Sequence, residues 1–280
     1  MRRMMLLVGV TVVLCGAAAL GLGCGGERNP GSALGVQKGE PWDLLYVSDS
    51  TGWGVAEQYA KHIERDLGVT VRVHDSWVGG LSIRTILDAL RSKSGDFNGQ
   101  DLHALVRDAE VIVVFGNPEG SETPGQVWNC PVYQEPTPEC LPSTACGPET
   151  FRNYVANITS VFDEISALRD GRPVILRTTD PYLPWGPRET WRSCDQEKIC
   201  LACYGNYADA MHRAAAARKV PIAGLFDAFT GPAHDREMPR AYIRDPDPFG
   251  LPGVHPSDAG AAAIADVLAN LGYEPVGSYQ

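Results

Sequence analysis

Apolar runs of strand length alternate along this chain with longer amphipathic stretches. Residues 43–47 form the first expected strand, and residues 55–67 the helix after it. A second strand is expected at 69–73, with a helix at 83–90 following it. Residues 111–115 make the most apolar run, which fits a central strand covered on both faces. Val155, Ile158, Phe162, Ile165 and Leu168 recur at helical spacing, so 151–168 reads as a helix. Strands four and five are expected at 173–176 and 220–225, with a helix around 208–217 between them. An Ala-rich helix at 261–271 closes the pattern. Strands alternating with helices imply crossover connections, and hence an α/β domain on a mostly parallel five-stranded sheet.

In such sheets, ligands bind beyond the carboxyl ends of the strands. The pattern therefore brings several chemistry-bearing residues to one edge. Ser50 follows the first strand, Gly79-Gly80 the second, and Gly116-Asn117 the third. His255 lies in the long segment after the fifth. A serine on a strand-to-helix turn becomes a nucleophile only when a base reaches its hydroxyl, and His255 is the candidate base. Each residue alone has a plainer reading. Ser50 also suits a cap for a helix starting near Trp53, and the glycine pairs suit ordinary turns.

Composition narrows the partners. The net charge is −10 and no basic cluster interrupts it, which argues against nucleic-acid binding. Residues 1–23 have a short basic start and an apolar stretch rich in Gly and Ala, as in an export signal. Gly21-Leu22-Gly23-Cys24 resembles a bacterial lipobox, which would make Cys24 a lipid-attachment site. Residues 24–40 read as a flexible tether, and 41–280 as one domain. The expected location is the cell envelope, anchored to a bacterial membrane by that lipid. Of eight cysteines, Cys130, Cys140, Cys146, Cys194, Cys200 and Cys203 remain for the domain. An even number in an exported chain suggests disulfides, with the pairing left open. These cysteines sit in insertions near 118–150 and 181–205, after strands three and four. Aromatic residues such as Trp128, Tyr182 and Trp191 accompany them and suit small local cores or a glycan groove.

Val47-Ser48-Asp49-Ser50-Thr51, Val78-Gly79-Gly80-Leu81-Ser82, Phe115-Gly116-Asn117 and Gly253-Val254-His255-Pro256-Ser257 resemble, in order, the four blocks of the SGNH (GDSL-type) hydrolase superfamily. The resemblance implies a three-layer α/β/α domain of flavodoxin-like order and a serine esterase that works without metal or organic cofactor. It implies that Ser50 attacks an acyl carbonyl while His255 accepts its proton. The oxyanion would be held by the Ser50 and Gly80 backbone N–H groups and the Asn117 side-chain amide. Substrates would be small esters, lipids, or O-acetylated or otherwise acylated glycans. Acyl transfer, or ligand binding without catalysis, are the alternatives on the same fold.

The chain departs from the family at three positions. Ser48 replaces the usual Gly, Pro118 the usual Asp, and Pro252 the acid three residues before the histidine. Asp245 and Asp247 are the substitute acids on offer; otherwise a backbone carbonyl orients His255 in a Ser-His dyad, the preferred reading. Asp49 is expected to brace the loop around Ser50. His74, ending the second strand, is a candidate substrate contact, as is the loop residue His234. His62, His103 and His212 read as incidental, and Asp180 and Asp227 as turn formers.

Overall fold

The computed structural model describes residues 39–117, 148–182 and 196–276, apart from 235, 237, 246, 247 and 249–254. The chain runs β1 (Trp42–Ser48), α1 (Val55–Leu67), β2 (Val71–Trp77), α2 (Ile83–Arg91), β3 (Asp96–Phe97), β4 (Gln100–Asp101), α3 (Leu102–Asp108), β5 (Val111–Val114). It continues through α4 (Pro148–Arg169), β6 (Ile175–Thr179), α5 (Gln196–Arg218), β7 (Ile222–Ala223), α6 (Leu225–Thr230) and α7 (Asp258–Ala269). Five strands pair in the order β2-β1-β5-β6-β7, every pair parallel. This is the flavodoxin-like order, as expected. β3 and β4 form a separate two-stranded hairpin.

Alternating side chains of each strand face opposite sides of the sheet. Leu45, Val47, Ile112, Val114 and Leu176 pack beneath α2, α3, α4 and α5. Trp42, Leu44, Tyr46, Val111, Val113 and Ile175 pack against α1, α6 and α7. Three layers follow from that alternation. Burial of each large aliphatic side chain contributes about 1.5–3 kcal/mol, so the central strand's four fully buried residues (Val111 to Val114) anchor both cores.

The differences from the sequence pattern have local causes. β2 starts and ends later than expected, running through His74, Asp75 and Ser76. It is an edge strand with several part-exposed positions, so its apolar pattern is weak. β6 also extends past the expected limit, into Arg177, Thr178 and Thr179, all buried. Two of them bond to other segments: Thr178 Oγ1 donates to the Val114 carbonyl at 2.7 Å, and Arg177 Nη2 to the carbonyls of Gly272 and Glu274 at 2.7 and 3.1 Å. The last strand stops at Ala223 because Asp180 Oδ1 accepts from the Leu225 and Phe226 N–H groups, starting α6 there. Asp180 therefore caps a helix rather than forming a turn. Arg169 is a further buried cation; its guanidinium donates to the carbonyls of Val106, Arg107, Ala109 and Pro173, closing the end of α3.

Asp75, on β2 beside Tyr46, has its Oδ1 buried with no partner among the described residues. Burial, with Glu57 adding repulsion, pushes its carboxyl up to about 7. The fold thus holds the proton more tightly than the unfolded chain, whose carboxyl titrates near 3.8. Stability is lost as pH rises from about 4 to about 7 and then levels off. Asp75→Asn is expected to stabilise the protein at pH 8 by roughly 1–2 kcal/mol, an amount reduced from the full shift because the group is part-exposed. At pH 4 it should make little difference. Urea unfolding at both values checks this, and an equal effect at both would refute it.

Cys130, Cys140, Cys146, Cys194, Cys24 and Asp247 lie outside the described residues, as do residues 1–38. Cys200 and Cys203 fall within α5. Among the described residues, no helix is long and apolar enough to cross a membrane.

Candidate active site

Sheet register places three turns on one edge. At the end of β1, Ser48 lies beside Trp77 and Val47 beside Val114. The Val78 N–H donates to the Ser48 carbonyl at 3.0 Å and the Phe115 N–H to the Val47 carbonyl at 2.9 Å. The first turn is a single 3₁₀ turn, Ser50–Gly52, capped by Asp49. Asp49 Oδ1 accepts from the Thr51 N–H at 2.9 Å and from the Thr51 hydroxyl. Ser50 is half-buried at the start of this turn. It caps no helix near Trp53, since α1 begins only at Val55, after Gly54 in a left-handed conformation (φ 77°).

The second and third turns are tied together. Gly80 has φ 67°, a region open to glycine and costly for other side chains. Asn117 pairs with Ser82 as an isolated parallel bridge. Its N–H donates to the Leu81 carbonyl and its own carbonyl accepts from the Ile83 N–H, both at 2.8 Å. A Cβ on Gly116 would stand 2.9 Å from the Ile83 nitrogen, so only glycine permits this approach. The Asn117 side chain then reaches back to the first turn: Nδ2 donates to Asp49 Oδ2 at 2.6 Å. An amide nitrogen carries two hydrogens, so this bond leaves one more to offer. Hydrogen bonds thus link the Ser50, Gly80 and Asn117 segments directly.

His255 joins from the far end of the chain. It is 1 % exposed, and its ring lies edge-on to Trp53, with centroids 6.2 Å apart. Trp53 also lies 6.2 Å from Trp77 at the end of β2. The Arg244 guanidinium sits 4.1 Å over the Trp53 ring, a cation–π contact. The Arg244 N–H donates to the His255 carbonyl at 2.9 Å and its Nε to the Pro256 carbonyl at 3.3 Å. Arg244 and Trp53 therefore connect the histidine's segment to the turn bearing Ser50. The proline after His255 leads into α7, where Ser257 Oγ accepts from the Gly260 N–H as cap. Of the two substitute acids, Asp245 is exposed, and Asp247 lies outside the described residues.

Asp49 is buried, and burial raises its carboxyl above the usual range; the bonds from Thr51 and Asn117 and the nearby His255 oppose that rise. Two histidines differ from expectation. His74 turns to Asp43 near the start of β1, at 2.8 Å, where Arg72 holds that carboxyl below its usual range. It is thus directed away from the strand ends that carry Ser50 and Asn117. His212 pairs with buried Asp180 at 3.0 Å, which raises the imidazole above its usual value. His234 bonds to Asp227 at 2.8 Å. Beneath the Ser50 turn lies a narrow cleft lined by Tyr46, Thr51, Gly52, Phe115, Tyr182 and Leu225, among others. Among the described residues no group of three His, Cys, Asp or Glu could hold a metal ion. Arg244 and Asp180 carry no local signal in the sequence; both are recognised only through their partners.

No family model and no curated protein sequence matches this chain. Solved structures do resemble it. The lipase Lip_vut3 from a goat rumen metagenome superimposes with a TM-score of 0.59 at 18% identity, covering 83% of this chain and 98% of that one. A variant of Axe2, an acetyl xylan esterase from Geobacillus stearothermophilus, gives a TM-score of 0.53 at 16% identity, covering 84% and 97%. A catalytic mutant of the same esterase gives 0.51, again at 16% identity, covering 84% and 96%. At these identities the likeness establishes the fold. This chain has the three-layer α/β/α architecture on which those ester hydrolases are built.

Proposed function

We propose that this protein is a serine ester hydrolase of the SGNH (GDSL-type) superfamily, acting on small acyl or acylated-glycan esters. The observation that carries this reading is the Asn117 amide bonded to Asp49, one residue before Ser50, within a turn cluster that also holds Gly80. The Asn117 bond supports the reading because it ties a candidate oxyanion donor to the turn that carries the candidate nucleophile. In the proposed reaction, the Ser50 hydroxyl oxygen bonds to the ester carbonyl carbon as His255 takes its proton. The carbonyl's π electrons move to oxygen, and the Ser50 N–H, Gly80 N–H and Asn117 Nδ2–H groups stabilise the resulting charge. Collapse breaks the bond to the leaving alkoxide, which receives the proton from His255. Water, deprotonated by the same imidazole, then releases the acid and restores the serine. The known departure at Pro252 leaves the orientation of His255 to the dyad arrangement.

The test is covalent labelling. A fluorophosphonate incubated with the purified full chain is expected to add one phosphonyl group to the peptide containing Ser50, together with loss of p-nitrophenyl acetate hydrolysis. Label on another residue, or none while the ester is still hydrolysed, would place the nucleophile elsewhere. Neither label nor hydrolysis would favour a ligand-binding role for the fold.

A further inference from the structure

Two buried phenols converge on the peptide that carries Asn117. Tyr154 on α4 is 1 % exposed and Tyr207 on α5 is fully buried. Their hydroxyl groups both donate to the Gly116 carbonyl, at 2.9 and 2.7 Å. The two rings meet edge to face, with centroids 4.9 Å apart and hydroxyl oxygens 3.4 Å apart. Phe151 stacks with Tyr207, and Phe115, next to Gly116, tilts against it. Tyr154 also meets the Met211 sulfur.

The Gly116 carbonyl and the Asn117 N–H belong to one peptide plane. Two phenols hold its oxygen, and the Leu81 carbonyl holds its N–H. A planar peptide fixed at both ends leaves little freedom for the Cα that follows. For packing alone, phenylalanine would fill either site with nearly the same shape, and one donor would satisfy a buried carbonyl. Burial raises both phenols above their ordinary range, so both remain protonated donors throughout the pH range of an esterase assay. The second donor matters where position matters, because an oxyanion donor works only when aimed in advance at the developing charge.

We infer that Tyr154 and Tyr207 are positioning residues: their hydroxyls clamp the Gly116 carbonyl and so aim the Asn117 amide at the reacting carbonyl. This rests on the ester-hydrolase reading above. The clamp belongs to helices α4 and α5, outside the four sequence blocks, and it ties the outer layer of the fold to the chemistry of the sheet edge.

The test pairs kinetics with a readout that needs no activity. Tyr154→Phe and Tyr207→Phe are each expected to lower kcat for p-nitrophenyl acetate by about 3- to 10-fold, and the double variant by about 30-fold, with KM little changed. In an Asn117→Ala background, the same two changes should cost less than 2-fold, because the group they aim is gone. In parallel, hydrogen exchange of the Asn117 side-chain amide, followed by NMR, should speed up by about tenfold or more in the double variant. Equal kcat losses with and without Asn117 would overturn the inference, showing a general packing role. So would unchanged kcat and unchanged exchange in folded variants. If the wild type itself hydrolyses no ester, the hydrolase reading fails; the exchange measurement still decides whether the phenols hold Asn117.

Discussion

Ser50→Ala is expected to remove at least about 10⁴-fold of kcat on p-nitrophenyl acetate while leaving the unfolding midpoint nearly unchanged. The hydroxyl is the only atom lost, and the side chain is half-buried on a turn whose cap is Asp49. In the proposed reaction that oxygen forms the bond to the acyl carbon, so no rearrangement of the turn would compensate for its loss. His255→Ala should fall to a similar floor, since nucleophile and base act as one unit and their losses do not add. The double variant is therefore expected to match the worse of the two singles. His255 is buried against Trp53, so its removal also leaves a cavity. His255→Gln, closer in volume, separates the chemical loss from a packing loss. Full activity in either Ser50→Ala or His255→Gln would sink the assignment.

Asn117→Ala is expected to lower kcat by about 10²- to 10³-fold with little change in KM, the pattern of an interaction made chiefly in the transition state. The geometry explains why so much should depend on one amide. Its nitrogen is held at 2.6 Å by Asp49, its backbone by Leu81 and Ile83, and the preceding carbonyl by two phenols. On the proposed reading, these contacts would direct the remaining hydrogen before substrate arrives and so avoid reorganisation during reaction. Asp49→Ala should reproduce part of the loss, by about tenfold, because the amide stays but loses its anchor. Steady-state kinetics on the folded variants decide the matter. A rise in KM with kcat intact would instead make Asn117 a ground-state binding residue.

The main elements were legible in the sequence because their signals are local. The uninterrupted Val111 to Val114 run marked the buried central strand, and the expected helix at 55–67 matches α1 at both ends. The order of short blocks around Ser50, Gly80, Asn117 and His255 pointed to a single edge. Signals weakened where burial and polarity part company. Edge position blurred the limits of β2, while Arg177 and Thr178 were hidden in β6 because they have partners in other segments. His74 illustrates the same limit. Its place on a strand said nothing of Asp43, 31 residues earlier, which decides where its ring turns.

What the sequence determined by itself was the alternation that makes a parallel α/β sheet, and the residue types needed at its carboxyl edge. Both follow from periodicity and from the fixed side of the sheet on which such loops emerge. The tertiary structure alone decided which groups hold those residues in place: Asp49 on Asn117, Arg244 and Trp53 against His255, and two tyrosines on the Gly116 carbonyl. These contacts join positions far apart in the chain. Their geometry is set by how helices pack on the sheet, and no local pattern of apolar and polar residues records that packing.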